Sequence, residues 1–365
     1  MTRYRLRALA WGVLSLPALA CGSSSASSIT LGAAGPWTSA YGTMNKRGID
    51  LAVDEINHSD LLGGRPLRID ARDDSADGTR AANIAEQFVA DRNVVAVVGH
   101  VNSGAMVAAA RVYDGALPAV ATTATTPDLT GISPWVFRMI SSDSVNGLRI
   151  AQFCRTLGRR RASILYENDS YGRGLAESFR RNFVGEIVSI DPVGEETTAF
   201  EPFVSYFKAR KPDVVFFAGT EVAGAALLAA AHGAGLQADF IGGDGWSGIG
   251  IYPAAEGAYA AVPFTPTEQR AEARKFVAAF RAKFGVAPDN AAALAYDATM
   301  LLAHAVADVG ADRRKIQQYL AHLDQRSAYH GVVGPVYFER SGDPMGRSLV
   351  VTRVTGGALI AQRAQ

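Results

Sequence analysis

The sequence predicts an α/β protein of two similar lobes, each a parallel sheet with helices on both faces. The chain has 365 residues, more than one typical core, which suggests two units of roughly 150 residues each. Short β-type runs alternate with helical periodicity, as in a sheet of parallel strands joined by crossover helices. That alternation then restarts in a second block. Composition agrees: 48% hydrophobic and 19% charged residues supply buried cores and exclude disorder as the main state.

The first block opens with a strand at Ile29-Thr30-Leu31-Gly32. Residues 45–57 then place Ile49, Ala52, Val53 and Ile56 at helical spacing. Leu67 to Ala71 alternates as a strand, and Asp77 caps a helix with Ala81, Ile84, Ala85 and Phe88 on one face. Val94 to Gly99 is a continuous apolar run, expected of a strand buried on both faces. A helix from Ser103 to Tyr113 and a strand at Leu117 to Ala121 follow. The second block starts with a helix carrying Leu148, Ile150, Phe153 and Leu157. Its strands are expected at Ala162–Tyr166, Ile187–Ile190, Val214–Ala218 and Phe240–Gly242, with helices between. Long helices near Glu268–Phe284 and Ala291–Val309 are expected to return to the first lobe, and the strand Val336-Tyr337-Phe338 to the second. The expected bounds are 29–142 for the first lobe, 143–265 for the second, 266–331 for the return, and 332–365 for a hinge return with C-terminal strands of the second lobe.

Residues 1–20 read as an export signal. Arg3, Arg5 and Arg7 precede an apolar stretch from Leu9 to Leu19, too short to span a bilayer, which ends in Ala18-Leu19-Ala20-Cys21. A cysteine directly after the cleavage point marks lipoprotein processing, with Cys21 as the lipid carrier; simple secretion after Ala20 is the alternative. The serine-rich run to Ser28 suits a flexible tether. No later segment has 18 unbroken apolar residues, so the expectation is an exported protein at the periplasm or cell surface, membrane-bound only through that lipid. The formal charge is +1; without residues 1–20, 33 basic against 35 acidic residues leave −2. Such balance argues against nucleic acid as a partner. Cys154, on an apolar helical face, is expected to be a buried thiol.

In open α/β sheets ligands sit outside the carboxyl ends of strands. Small, hydroxyl and acidic residues gather at those ends, at Gly99–Gly104, Ala121–Thr126, Tyr166–Asp169, Ala218–Glu221 and Gly242–Gly245. Gly243-Asp244-Gly245-Trp246-Ser247-Gly248 fits G-x-G-x-x-G. It is followed by Gly250, Pro253 and Gly257 rather than a helix, so a mobile glycine-rich loop is the better reading than a nucleotide site. The six histidines lack metal-ligand spacing, and no nucleophile–base pair is legible. No cofactor, metal or enzymatic activity is expected.

Several segments, in order, resemble type I periplasmic solute-binding proteins of the branched-chain amino-acid ABC transporter class, the leucine/isoleucine/valine-binding type. They are Tyr41-Gly42 before the helix Gly48–Asn57, Asp73-Asp74, Val97-Val98-Gly99-His100 with Ser103, Ala124–Thr130, Phe137-Arg138, Tyr171–Ala176 and Gly334–Phe338. The resemblance covers about residues 29–355. It implies two Rossmann-like lobes joined by three crossovers, with ligand in the cleft. By it, Ser103 and Thr125 donate hydroxyls to a ligand carboxylate. Thr123 offers a carbonyl to the ligand ammonium, and Asp244 is its acidic partner. Tyr171 and Thr220 line the second-lobe side and Tyr41 the side-chain pocket, with Trp37 and Asp143 as neighbours. Ala76 and Asn102 stand where some members carry a disulfide.

The resulting expectation is a monomeric, tethered protein that captures a small amino acid, most simply an apolar one, by hinge closure and delivers it to an ABC permease. A sensory module of the same fold is the first alternative, and a secreted enzyme the second. No structural partner of Asp244 is legible, so folding is expected to tolerate Asp244→Asn.

Overall fold

The computed structural model describes residues 28–194, 197–347 and 349–362. The leader, Cys21 and the linker up to residue 27 lie outside them. The first lobe holds β1 (Ile29–Gly35), β2 (Leu67–Asp73), β3 (Val94–Gly99), β4 (Ala119–Ala121) and β5 (Val136–Arg138), in spatial order β2-β1-β3-β4-β5. Every pairing in this sheet is parallel. The connecting helices are α1 (Ala40–Asn57), α2 (Gly78–Ala90) and α3 (Ser103–Tyr113). Side-chain caps start the first two: Ser39 accepts from the Gly42 N–H and Asp77 from the Arg80 N–H. No side-chain cap closes α3, whose N-terminus opens on the cleft.

The second lobe begins with α4 (Asp143–Thr156), then β6 (Arg161–Glu167), α5 (Ser170–Asn182), β7 (Glu186–Val193), α6 (Glu201–Arg210), β8 (Val214–Ala218), α7 (Glu221–Gly233), β9 (Asp239–Gly242) and β10 (Tyr259–Val262). Its strands pair in parallel from β7 through β6, β8 and β9 to β10. The segment after β9 differs from the mobile loop expected. It winds into short 3-10 turns pinned by Trp246, whose side chain is fully buried against Phe217 and the Gly242 backbone.

The chain then crosses back. α8 (Ala271–Phe284), α9 (Asn290–Val309) and α10 (Arg313–His322) pack into the first lobe's core. α9 is the one helix among the described residues long and apolar enough to cross a membrane, but 15 of its 20 residues are buried in that core. It meets α1 backbone to backbone: a Cβ at Gly48 would lie 2.1 Å from the Ala292 carbonyl oxygen, so only glycine fits.

A small antiparallel sheet follows, of β11 (Tyr329–Gly331), β12 (Gly334–Phe338) and β13 (Pro344–Met345). This corrects the expected placement of residues 336–338. Val336 and Phe338 bury into the first lobe's core, Phe338 against Phe137 with ring centroids 5.0 Å apart. The second lobe is instead completed by β14 (Val350–Thr355) and β15 (Ala358–Ala361), antiparallel at the edge beside β10.

Three connections join the lobes, after β5, after β10 and after β13. Two ion pairs stand at them, the second one buried on both sides. Arg138 at the end of β5 pairs with Asp343 (2.6 Å). Arg347 in the third connection pairs with Asp297 of α9 (2.7 Å) and also donates to the Met139 carbonyl in the first.

Candidate functional site

Between the lobes lies a cavity of about 260 Å³, at the carboxyl ends of both sheets. Tyr41, Val101, Asn102, Ser103 and Thr123 form its first-lobe wall, joined by Asn290 and Ala291 from the start of α9. Glu167, Asp169, Tyr171, Thr220, Glu221 and Asp244 form the wall opposite.

Ser103 stands at the open N-terminus of α3. Its oxygen accepts from the backbone N–H groups of Thr125 (3.2 Å) and Thr126 (3.3 Å). Both acceptor positions are taken, so the hydroxyl hydrogen is what it can offer a ligand. A hydroxyl donor at an uncapped helix N-terminus suits a carboxylate. Thr125 departs from its expected role. It is fully buried and does not line the cavity; its backbone serves Ser103 and its side chain faces Asp143. Arg138 holds this loop from behind, donating to the carbonyls of Thr125 (3.0 Å) and Thr126 (2.9 Å).

Across the cavity, Asp244 is 6% exposed. The Tyr171 hydroxyl donates to its Oδ1 (3.2 Å) and accepts from the Gly245 N–H (3.1 Å), which fixes the ring. Burial pushes the Asp244 carboxyl up to about 7. Asp143 lies fully buried behind it, and burial, then the nearby Asp244 charge, drives it well above the usual carboxylate range. Glu221, in the first turn of α7, accepts from the Gly248 N–H (2.7 Å); burial, then Asp289, pushes it up to about 7. Glu167 accepts the Thr220 hydroxyl (2.7 Å), so Thr220 orients an acid. Among the described residues no lysine, arginine or histidine lines the cavity. This wall therefore favours a ligand that brings positive charge or N–H donors.

Tyr41 lines the cavity and accepts from the Asn102 side-chain amide (2.8 Å). Thr123 lines it too, its hydroxyl turned to the Val101 carbonyl (3.0 Å). Trp37 does not line it; its ring packs over Gly35 and the first-lobe core. The Asn290 amide donates to the Asp244 carbonyl (3.2 Å), so the lobes touch across the cleft.

A family model described as "Periplasmic binding protein" matches residues 28–358. The chain belongs to the periplasmic binding protein family. It falls in the branched-chain amino-acid class. It is similar to "Leu/Ile/Val-binding protein homolog 1" of Brucella abortus (strain 2308), 27% identical over 348 residues, 91% of this chain and 92% of that one. Among solved structures it resembles an ABC transporter substrate-binding protein from Desulfitobacterium hafniense in complex with Leu. That likeness has 30% identity and a TM-score of 0.79, covering 92% of this chain and 100% of that chain. An R. palustris solute-binding protein in complex with benzoate shares the fold at 21% identity and a TM-score of 0.84, covering 92% of this chain and 95% of that chain. The family is one of exported, periplasmic solute-binding proteins of ABC transporters, not of enzymes.

In this binding protein the structure brings Tyr41, Ser103, Thr123, Tyr171, Thr220 and Asp244 to one cavity and keeps the buried Thr125 out of its lining. Among the described residues no three His, Cys, Asp or Glu side chains gather to hold a metal. Residues outside the expected set complete the site. Glu167 ends β6, and Asp169 and Glu221 follow β6 and β8, where the sequence already showed acids. Ala76 and Asn102, which stand where some members carry a disulfide, both line the cavity. Asn290 and Ala291 gave no signal, because they reach the cleft from a helix far along the chain.

Proposed function

We propose that this binding protein captures an amino acid between its lobes and delivers it to an ABC permease. The observation that carries the reading is the pairing of the buried Asp244–Tyr171 unit with Ser103 at an open helix N-terminus across the same cavity. The first suits an ammonium and the second a carboxylate, the two ends of an α-amino acid. The name of the Brucella relative and the leucine in the Desulfitobacterium complex support an amino acid as ligand class. Closure about the three hinge connections traps the ligand, and the permease recognises the closed form. Cys21, directly after an export signal, carries the lipid that keeps the monomer at the membrane.

A thermal-shift screen over amino acids, simple amides and small carboxylates tests this. Ligand at about 100 times its Kd adds about 2.7 kcal/mol to stability. At about 2 °C per kcal/mol for a long chain, that is a rise of about 5 °C in Tm. A shift confined to amino acids supports the proposal. No shift with any of them contradicts it.

A further inference from the structure

The two walls of the cavity differ in charge. The first-lobe wall is neutral, with donors and acceptors at Tyr41, Asn102, Ser103 and Asn290. The second-lobe wall carries four carboxylates, at Glu167, Asp169, Glu221 and Asp244. An amino acid with an apolar side chain brings one ammonium, which Asp244 meets. It brings nothing for Glu221, whose described bond is the single one from the Gly248 N–H. Glu221 stands next to the cavity with Asn290 and Ser247, and Asp289 adds further negative charge beside it. Asp244 itself is more than nine-tenths buried, and its side chain accepts from Tyr171 through one oxygen only. Closing the lobes over an apolar side chain would desolvate Glu221 with no counter-charge from the ligand.

We propose that the ligand carries a second cationic group at the far end of its side chain, and that Glu221 is the residue that selects it. The inference rests on the amino-acid reading above and narrows it. Asp244 and Tyr171 hold the α-ammonium, while Glu221, aided by the Asn290 amide oxygen and the Ser247 hydroxyl, receives the distal ammonium or guanidinium. This departs from the apolar ligand expected from the sequence resemblance.

Calorimetric titration of the purified mature protein with lysine, arginine, ornithine and leucine tests it. At least one basic amino acid should bind tenfold or more tighter than leucine, and Glu221→Gln should reduce that ratio about 10- to 100-fold. Leucine binding as tightly as every basic amino acid overturns the inference and leaves the amino-acid reading standing. A ratio unchanged in folded Glu221→Gln also overturns it. Binding by no amino acid overturns both. The wild-type comparison decides the ligand class even if the variant fails to fold.

Discussion

Replacing Asp244 by asparagine is expected to weaken ligand binding by about 30- to 4000-fold, which corresponds to the roughly 2–5 kcal/mol lost when one member of a buried charge pair is removed. The same change should stabilise the empty protein at alkaline pH. Burial holds the Asp244 carboxyl at about 7, against 3.8 ordinarily. Between about pH 4 and 7 the native state keeps a proton that the unfolded chain has released, so stability falls as pH rises through that window. Ionising a carboxyl that burial holds protonated above its ordinary range costs stability, a cost the neutral amide avoids. Asparagine can still accept from the Tyr171 hydroxyl, the partner that the sequence did not reveal. Ligand-free Asp244→Asn should therefore melt above wild type at pH 8 and level with it near pH 4. A shift in stability is thus expected where the sequence alone suggests tolerance. Titration and melting curves of both proteins check the pair of outcomes. Unchanged affinity in the folded variant would place the counter-ion elsewhere, at Asp143 or Glu221.

Asp297→Ala should cost about 3–5 kcal/mol of stability, because it strands Arg347 as an uncompensated buried charge. Arg347 is 2% exposed and Asp297 not at all. Asp297 also accepts from the N–H groups of Val332 (2.7 Å) and Val333 (3.1 Å), which lose their partner as well. At about 2 °C per kcal/mol, Tm should fall by about 6–10 °C. The buried pair is costly in itself, so the double replacement Asp297→Leu with Arg347→Met should recover part of the loss. The pair ties α9 to the first and third hinge connections, and α9 begins at Asn290 in the cleft. Melting curves of the three variants check this. A single variant that melts with wild type would show that the pair contributes nothing to the hinge.

The architecture was legible because periodicity reports it directly. The continuous run from Val94 to Gly99 is a strand buried at every position, and α3 occupies the residues that its apolar spacing predicts. Sheet membership was less legible. Val336-Tyr337-Phe338 reads as a strand, but which sheet it joins depends on long-range packing, here against Phe137. The site divides the same way. Ser103 and Asp244 follow strands and could be placed by that rule. Thr125 obeys the same rule, yet its hydroxyl is turned to Asp143, since side-chain direction after a strand is set by neighbours distant in sequence. Asn290 escaped because nothing local shows that the start of a core helix faces a cleft.

The most direct test of a cleft built around an ammonium is a matched comparison. The amino acid giving the largest thermal shift is titrated calorimetrically beside its des-amino counterpart, the same molecule with hydrogen in place of the ammonium. The account predicts binding of the amino acid and a loss of at least 30-fold for the des-amino acid, since Asp244 would then face a carboxylate ligand with no counter-charge. Equal binding of the two would contradict it and make the protein a receptor for simple carboxylates.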